Sequence, residues 1–449
     1  MDSELKTQKI ILVKYEYKAP FNAILLRYSE IGLKGNNRRM FEDKLLNNIR
    51  KNLQAIEDLD FYYERGRLAL IHGDESPFTE DEMKIIRVQL GKVFGLESYS
   101  PGFQVDSDWE VIRETIEEHL PGVYKVHNDN CKEGEQINYR TRARRSYKKF
   151  PYTSNEIEII VAEEIMAQWD NIKINLSNPD VSVGIEVREE ATFIFFETLP
   201  GIVGLPVGSS DKVLCLMSGG IDSPVACFQA MKRGSHIDFI TFHSHPYTSK
   251  DGLEKIGKLI NILDDYQDRP GRYFACNLVE AQKEIRDKCE PRLRTVLYRR
   301  MMMRIASVLA RAIKTRALLT GESMDQVASQ TMKNMDCINR ATDMLVLRPL
   351  ISFDKNETIA VADKIGTLET SNIPAADSCT TFAPKKPATN ANMYMIEKSE
   401  ANLDMESIIK ACLEDTVLID QETMEEEPFP KLLKTFDKYF TDHWKISEQ

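Results

Sequence analysis

The 449-residue chain lacks several features that define common classes of protein. No apolar run in the sequence is long enough to span a membrane, and the first residues, MDSELKTQKI, do not contain the apolar core of a signal peptide. The eight cysteines are scattered and include no Cys-x-x-Cys pair, which argues against a zinc ribbon and against a disulfide scaffold. We therefore expect a cytoplasmic protein with no membrane partner.

The composition is that of a globular protein. Hydrophobic residues make up 42% of the chain and charged residues 29%. The length predicts two to four domains with a large core. Since the net charge is −11, the chain as a whole does not attract nucleic acid, and a nucleic-acid partner would have to be held by a local basic patch.

Residues 213–224, VLCLMSGGIDSP, form the most informative motif. The run 213–217 is apolar and predicts a buried parallel strand. The Ser-Gly-Gly turn at 218–220 lets the backbone approach a ligand closely. A strand, a glycine turn and a helix in this order direct N–H groups and the helix dipole at an anion, most naturally a phosphate. The helix is predicted to have Ser223 as its N-cap, Pro224 as its first residue and Gly234 just past its end.

Two alternatives qualify this motif. A Gly-Gly turn by itself is more often a plain connection that binds nothing, but the full string Ser-Gly-Gly-x-Asp-Ser has a chance occurrence of about one in a thousand in a chain of this length. The segment 252–258, GLEKIGK, nearly matches the other phosphate loop, G-x-x-x-x-G-K-[ST], but Leu259 replaces the hydroxyl residue. Its apolar residues recur at helical spacing, so we interpret it as an amphipathic helix.

The first hundred residues alternate strand and helix patterns. Their βαββαβ order predicts a small ferredoxin-like domain. The polar loop at 29–39 carries Lys34 and Arg38, which are candidate RNA contacts; the alternative is a solvated surface turn. The predicted strands are 23–28, 61–66 and 67–72, and the predicted helices are 40–53 and 79–93.

Residues 139–149, YRTRARRSYKK, are the most basic part of the chain and include no acid. The alternation of three arginines predicts a strand with one charged face. Tyr139, Tyr147 and Tyr152 are interleaved, so the segment could neutralise phosphates and stack on bases or sugars. A solvated edge strand, protected from aggregation by its cations, is the alternative. The charge pattern favours nucleic acid, and the candidate contacts are Arg140, Arg142, Arg144, Arg145, Lys148 and Lys149.

The second half of the chain has the pattern of a doubly wound parallel sheet. Residues 199–208, LPGIVGLPVG, are rich in glycine and proline and predict a linker. Strand and helix patterns alternate after it, and ligands of such sheets bind beyond the C-terminal ends of the strands. Within this pattern we predict a helix at 325–333. The acidic tail from residue 401 is also expected to be helical.

Taken together, the motifs resemble those of the tRNA 4-thiouridine synthases, sulfurtransferases that are also linked to thiazole synthesis for thiamine. The resemblance covers nearly the whole chain and rests on RYSEIGLKGNNRR, the stretch 140–157, PGIVGLPVG, LMSGGIDSPVA, FHSHPYTS, RRMMMRIA, TGESMDQVASQT, LRPLISFDK and SCTTFAPKKP, which follow in the family's order. We predict a multidomain α/β protein with an N-terminal ferredoxin-like α+β domain (1–78), a THUMP RNA-binding domain (79–190), a linker (191–210), a doubly wound PP-loop ATP pyrophosphatase domain (211–400) and a C-terminal helical extension (401–449).

The resemblance implies that Asp222 and Lys355 are essential and that Cys379 handles sulfur. Asp222, next to a phosphate loop, could act through Mg²⁺. Lys355 could stabilise phosphate charge, although it is equally natural in the first turn of a helix. Lys385 and Lys386 would favour the thiolate of Cys379. No set of metal-ligating residues is predicted. The resemblance implies ATP contacts at Leu216, Met217, Thr241, Phe242, Arg299, Gly321 and Gln330. The phosphate loop adds Ser218, Gly219, Gly220 and Ser223 as predicted ATP contacts.

The activity that the resemblance implies is ATP-dependent conversion of a tRNA uridine, expected at position 8, to 4-thiouridine. The uridine O4 attacks the α-phosphorus of ATP and releases pyrophosphate. A persulfide on Cys379, loaded by a cysteine desulfurase, then delivers sulfur to C4 as AMP leaves. The resemblance also implies a homodimer and sulfur donation to a carrier of the thiazole pathway.

Some members of the family carry a C-terminal rhodanese domain with a second persulfide cysteine. About seventy residues follow Cys379 here, so we expect no such domain, and Cys289 or Cys412 is a candidate second cysteine. The string Cys289-Glu-Pro-Arg292 lacks the Cys-x-x-Cys pair with which some archaeal relatives hold an iron–sulfur cluster. Two other functions stay open: another tRNA-directed PP-loop adenylating enzyme, such as a lysidine synthetase or an amidotransferase-type ligase, and a non-catalytic THUMP RNA-binding protein.

Overall fold

The computed structural model describes residues 16–64, 67–132, 134–375, 382 and 384–429. The chain divides into two compact units, with the boundary between Gly204 and Leu205. Cys379, the predicted sulfur-handling residue, lies outside the described residues, as do the remaining residues of 376–381. Within the part of the chain that is described, no helix is both long enough and apolar enough to cross a bilayer.

The first unit contains the predicted βαββαβ order and continues with further strands and helices. Its elements are β1 Ala23–Arg27, α1 Arg38–Asn52, β2 Leu59–Glu64, β3 Arg67–His72, α2 Glu80–Leu90, β4 Ser98–Val105, α3 Trp109–Asn128, β5 Ile137–Arg145, α4 Ser154–Met166, β6 Ile172–Ile174, β7 Val181–Val187, β8 Thr192–Phe195 and β9 Leu199–Pro200. The segment 29–39 forms two short 3₁₀ turns, Glu30–Leu33 and Gly35–Asn37, before α1 begins.

Local sequence fixes where several of these helices start. Thr79 precedes α2 and Thr153 precedes α4, and in each case the threonine side chain accepts the backbone N–H of a glutamate three residues later. That glutamate in turn accepts the N–H of the threonine, which completes a capping box. Asp108 caps α3 by accepting the N–H groups of the second and third helical residues.

One nine-stranded sheet runs through the whole first unit among its described residues, in the order β2-β3-β1-β4-β8-β7-β5-β6, with β9 also paired to β4. The strands of the ferredoxin-like part and those after α3 are joined where β4 pairs antiparallel with β8, from Gly102 opposite Phe195 to Val105 opposite Thr192. The segment 191–210 that we predicted as a linker includes β8 and β9, so only its later residues connect the two units.

The second unit contains a seven-stranded sheet in its described residues, in the order β14-β13-β10-β11-β12-β15-β16. Its elements are β10 Val213–Leu216, α5 Asp222–Met231, β11 Ile237–His243, α6 Asp251–Asp264, β12 Tyr273–Asn277, α7 Val279–Lys288, α8 Arg294–Ala312, β13 Ala317–Leu319, α9 Met332–Asn339, β14 Leu345–Leu347, α10 Lys355–Lys364, α11 Leu368–Ser371, α12 Met393–Glu400, α13 Met405–Glu414, β15 Val417–Ile419 and β16 Glu426–Pro428.

The five strands β14, β13, β10, β11 and β12 pair in parallel, as a doubly wound sheet requires. After β10 the chain adds β11 and then β12 on one side of β10. After α8 it returns and places β13 on the other side of β10. The order of the sheet therefore reverses between β10 and β13, which is the topological switch point. Helix α8 supplies much of the core beside it through Met301, Ile305 and Leu309, all fully buried.

One predicted helix of this unit is wrong, and another is confirmed only in part. No helix spans 325–333; Asp325 has a φ of 59°, one 3₁₀ turn follows at Ala328–Gln330, and α9 starts only after Thr331, whose side chain accepts the N–H of Asn334. The tail beyond residue 401 is helical at α13, but β15 pairs antiparallel with β12 and β16 with β15, which extends the sheet. Its residues 430–449 lie outside the described part of the chain. By pairing with β12, β15 covers an edge of the parallel strands that would otherwise be open.

Candidate active site

A cavity of about 390 Å³ opens at the switch point of the second sheet. Its walls include Leu216 at the end of β10, Thr241 and Phe242 near the end of β11, and Thr320 directly after β13. Parallel strands end at one edge of the sheet, and that edge is where doubly wound sheets bind their ligands. The cavity is therefore where the fold predicts a binding site.

The phosphate loop closes onto the first turn of α5 through Ser218 and Ser223. The Ser223 hydroxyl accepts the backbone N–H of Ser218 at 3.0 Å and donates to the Ser218 carbonyl at 3.0 Å. Ser223 is thus not the N-cap that we predicted: α5 begins at Asp222, and Ser223 instead fixes the shape of the loop before it. A Cβ on Gly321 would lie 2.7 Å from the backbone nitrogen of Ser223, so glycine is needed there for the wall to approach the loop.

Asp222 and Lys355, predicted separately, are in contact. Nζ of Lys355 donates to Oδ1 of Asp222 at 2.9 Å. Lys355 is the first residue of α10, whose start is fixed by a capping box between Asp354 and Glu357. Lys355 thus lies in the first turn of a helix, and that helix brings its ammonium group to the phosphate loop.

A buried carboxylate that we did not predict lies in the cavity wall. Glu322 is only 3% exposed; its two oxygens accept from Arg299 at 3.0 Å and from Arg348 at 2.7 Å. Burial alone would raise the pKa of Glu322, but the two arginines outweigh it and hold the pKa below its usual value. Glu322 therefore holds the guanidinium of Arg299, a predicted ATP contact, at the cavity.

Gln330 presents an unsatisfied polar atom to the cavity. Its side chain is 6% exposed, and Oε1 has no hydrogen-bond partner. A buried acceptor without a donor is costly, so it favours a ligand that carries an N–H group there. The apolar side chains of Met302, Met303 and Ile338 line the same cavity. An adenine ring, with an amino group on a flat apolar body, suits this combination.

The residues at the loop also fit a magnesium ion bound with a nucleotide. Asp222 offers carboxylate oxygens beside the loop, and Mg²⁺ in nucleotide sites takes one or two carboxylates together with phosphate oxygens. Among the described residues there is no group of three or more His, Cys, Asp or Glu that could hold a metal without such a ligand. The structure therefore suits a cation that binds together with the phosphates of a nucleotide.

The structure brings all the predicted ATP contacts together in one cavity. Lys355 reaches the cavity through Asp222, which lines it. The other residues that line it include Leu216, Met217, Ser218, Gly219, Gly220, Ser223, Thr241, Phe242, Arg299, Gly321 and Gln330, which are all eleven of the predicted ATP contacts.

The two candidate second cysteines are buried and do not line the cavity. Cys289 is 8% exposed, its thiol donates to the carbonyl of Ser399 at 3.4 Å, and burial raises its pKa to about 11. Cys412 is 2% exposed within α13. Since the thiolate is the nucleophile, the raised pKa makes Cys289 a poor reactant, and burial restricts access to Cys412.

The basic segment in the first unit is the predicted strand with one charged face. Along β5 the side chains of Arg142 and Arg144 are exposed while those of Tyr139 and Ala143 are buried. The prediction that Tyr139 could stack on a base is wrong, because its ring lies on the buried face and its hydroxyl is hydrogen-bonded to Thr141. Pairing with β7 along its length and with β6 at its start makes β5 more than a simple edge strand.

The other predicted RNA contacts differ in how far they are engaged within the protein. Arg140 donates to the carbonyl of Leu176 at 2.9 Å, and Arg145 donates to the carbonyls of Lys148 and Phe150 at 3.2 and 3.1 Å. In the segment 29–39, Lys34 lies 5.1 Å from the ring centroid of Phe41. The side chain of Arg38 donates to Glu42 at 2.8 Å, whereas Lys148 and Lys149 are exposed.

The fold and the cavity define a class: a PP-loop nucleotide-binding unit preceded in the same chain by an α/β unit that carries one basic strand. Models of known families agree. The model described as thiamine biosynthesis protein (ThiI) matches residues 208–405, that of the ThiI ferredoxin-like domain matches 23–100, and that of the THUMP domain matches 114–197. The chain belongs to the ThiI family of tRNA sulfurtransferases, which confirms the family and the fold predicted from the sequence.

Individual relatives support this membership. The chain is 40% identical over 394 residues to a probable tRNA sulfurtransferase of Alkaliphilus oremlandii, over 88% of this chain and 97% of that protein. It is 38% identical over 396 residues to a probable tRNA sulfurtransferase of Acetivibrio thermocellus, over 88% and 98%. The structure is similar to the crystal structure of a 4-thiouridine synthetase–RNA complex with bound ATP, with a TM-score of 0.77, 33% identity, and coverage of 89% of this chain and 100% of that one.

Proposed function

We propose that the protein is an ATP-dependent tRNA sulfurtransferase that converts a uridine of tRNA, expected at position 8, to 4-thiouridine. The observation that carries the proposal is the convergence of all eleven predicted nucleotide residues in one cavity at the switch point. It is supported by the similarity of the chain to a 4-thiouridine synthetase whose crystal structure contains RNA and ATP.

In this proposal each part of the cavity has a distinct role toward ATP. The backbone of 218–220 and the start of α5 bind phosphate oxygens, and Gln330 accepts a hydrogen bond from the adenine amino group. Asp222 would hold Mg²⁺, which would supply positive charge to the phosphates. Lys355 adds a positive point charge beside the loop, which stabilises charge that develops during transfer of the adenylyl group.

The proposed chemistry makes a poor leaving group into a good one. The uridine O4 forms a bond to the α-phosphorus, and the bond between that phosphorus and pyrophosphate breaks. The terminal sulfur of a Cys379 persulfide then forms a bond to C4, and AMP leaves with the former O4. A disulfide now joins the nucleoside sulfur to Cys379. A thiol must reduce it to release 4-thiouridine, and the burial of Cys289 and Cys412 supports a thiol supplied from outside this chain.

The finer features of the proposal come from the family resemblance. A cysteine desulfurase loads Cys379 in the cytoplasm, the protein acts as a homodimer, and it also donates sulfur to a carrier of the thiazole pathway. Arg142, Arg144, Lys148 and Lys149, which are exposed, contact the tRNA together with Lys34, Arg38, Arg140 and Arg145. The domains are proposed to follow in the predicted order. Their predicted bounds change because β8 and β9 fall within the predicted linker, and β15 and β16 within the predicted helical extension.

The test is a nucleoside digest of unmodified tRNA after incubation with the protein, Mg·ATP, cysteine, a desulfurase and a thiol reductant. Wild type is expected to form 4-thiouridine and the Cys379→Ser variant is not, whereas Cys131→Ser, which changes a thiol of the first unit, should retain activity. Full activity of Cys379→Ser would favour a different adenylating PP-loop enzyme. Failure of the wild type to bind ATP would leave only an RNA-binding protein.

A further inference from the structure

The helix that carries the near-match GLEKIGK contributes a lysine to the cavity. Lys255 lies in α6 between apolar residues and is only 8% exposed. Its ammonium group donates to the carbonyl of Ser371 at 2.8 Å and to the carbonyl of Ile373 at 2.7 Å. These contacts direct the side chain away from the solvent face of α6 and toward the nucleotide cavity, of which Lys255 and Ser371 are lining residues.

The side chain of Lys255 also packs on the phosphate loop. A Cβ on Gly219 would lie 3.3 Å from Cδ of Lys255 and 3.5 Å from its Nζ. Ser371, which accepts from this ammonium group through its carbonyl, donates its hydroxyl to the carbonyl of Gly220 at 3.5 Å. Lys255 thus contacts the loop at Gly219, while Lys355 contacts the same loop region through Asp222 from α10.

The ammonium group of Lys255 has no ion-pair partner within 4.0 Å among the residues that the structure describes. Its two hydrogen-bond partners are neutral carbonyl groups. Burial lowers the pKa of this ammonium group. A buried cation costs free energy unless an opposite charge accompanies it, so the site favours an anionic ligand. An ammonium group has three donors, and two of them are used.

We propose that Lys255 is a further nucleotide-binding residue, whose ammonium group contacts the β- or γ-phosphate of ATP held by the loop 218–220 while it keeps its bonds to Ser371 and Ile373. The inference rests on the proposed function, since it needs ATP in this cavity. It explains why a lysine occupies a buried position of an otherwise apolar helix face. It also gives a role to a segment whose resemblance to another phosphate loop is misleading.

The position of Lys255 determines which ligands should depend on it. AMP has only the α-phosphate, whereas ATP and pyrophosphate carry the phosphates that the loop would hold beside Gly219. A residue with a purely structural role would affect all ligands equally through the shape of the cavity. Discrimination between AMP and the longer phosphates is therefore the property that separates the two roles.

The experiment measures binding by calorimetry with three probes: an ATP analogue with a non-cleavable α,β-bond, pyrophosphate, and AMP. Lys255→Met removes the charge and keeps much of the side-chain volume. Because a charge-assisted hydrogen bond is lost, we expect binding of the analogue and of pyrophosphate to weaken roughly 10- to 100-fold, and that of AMP to change by no more than about twofold. The control is Lys258→Met, on the exposed face of the same helix, which should match wild type.

If Lys255→Met does not fold, Lys255→Gln keeps donors for the two carbonyls without the charge and is measured instead. Unchanged binding of the analogue by either variant overturns the inference, and so does an equal loss for all three probes. If wild type does not bind the analogue, both the inference and the proposed function fail. If the variants discriminate as expected while wild type forms no 4-thiouridine, the inference stands and only the sulfur chemistry of the proposed function fails.

Discussion

The contact between Asp222 and Lys355 allows a role in chemistry to be separated from a role in stability. Nζ of Lys355 lies 2.9 Å from Oδ1 of Asp222, and the side chains are 47% and 26% exposed. An ion pair this accessible to water contributes about 0.2–1 kcal/mol to the free energy of unfolding. In a unit of this size, its loss lowers the thermal midpoint by about 4 °C or less. If such a loss appeared wholly in the reaction barrier, the rate would fall about fivefold.

A role in stabilising phosphate charge predicts a much larger effect on the reaction. Removing one active-site group that stabilises developing charge typically reduces kcat about 100- to 1000-fold. We therefore expect Asp222→Asn and Lys355→Met each to slow tRNA-dependent release of AMP at least about 100-fold. Because the two side chains touch and act on the same substrate, the double variant should lose far less than the product of the single losses.

The assay is single-turnover release of AMP and pyrophosphate from labelled ATP with tRNA in excess, together with thermal unfolding of each variant. Lys364→Met is a matched control, since Lys364 is exposed in the last turn of the same helix as Lys355. A single variant that stays within about fivefold of the wild-type rate would refute the reasoning, because loss of stability alone could then account for it.

Two further predictions concern stability and RNA binding. Burial raises the pKa of Glu400, but hydrogen bonds from Arg304 and Arg300 outweigh burial and lower it to about 2 from its usual 4.5. The resulting stabilisation, at most about 3 kcal/mol, is present above pH 4.5 and is lost as the pH falls toward 2. Urea unfolding should therefore show that Glu400→Gln is less stable than wild type at neutral pH and that its stability depends less on acid. An acid dependence equal to that of wild type would contradict this prediction. Replacing Arg142 and Arg144 by glutamine should weaken tRNA binding and reduce the slope of log affinity against log salt concentration by about 1.5. The control Lys84→Gln, on the exposed part of α2, should leave both the affinity and the slope unchanged. A slope equal to that of wild type in the arginine variant would show that these arginines do not contact phosphates.

The sequence predicted the elements whose patterns are set locally. Periodic apolar residues identified α6 as a helix despite its GLEKIGK string, and alternation identified β5 as a strand with one charged face. Elements that depend on distant partners were missed. The segment 325–333 has a helical pattern but does not form a helix. The side chain of Asn334 donates to the carbonyl of Ala328 within this segment and to the carbonyl of Ala388, which is distant in the sequence. Similarly, β15 pairs with β12, which is distant in the sequence, and β16 pairs with β15.

The residues of the candidate site also divide into those with a local sequence signature and those without one. The loop 218–220 has a sequence signature because its backbone conformation demands particular residues. Glu322 and Lys255 have none: each is a charged residue whose burial becomes visible only when Arg299 or Ser371 is placed beside it. Charged residues are mostly exposed in folded proteins, so the sequence alone predicts that Glu322 and Lys255 are exposed to solvent. The one available signal for Glu322 was its place in TGES, at the start of the motif TGESMDQVASQT.

The pairing of β4 with β8 determines how the first half of the chain can be divided. Family models place a boundary between residues 100 and 114, yet four residue pairs join the two strands across it, from Gly102 and Phe195 onward. A fragment cut at that boundary would leave a row of unpaired N–H and C=O groups in mid-sheet, which invites aggregation. The two named domains should therefore unfold together as one cooperative body. An RNA that contacts both the 29–39 segment and β5 must then match a spacing set by strand pairing.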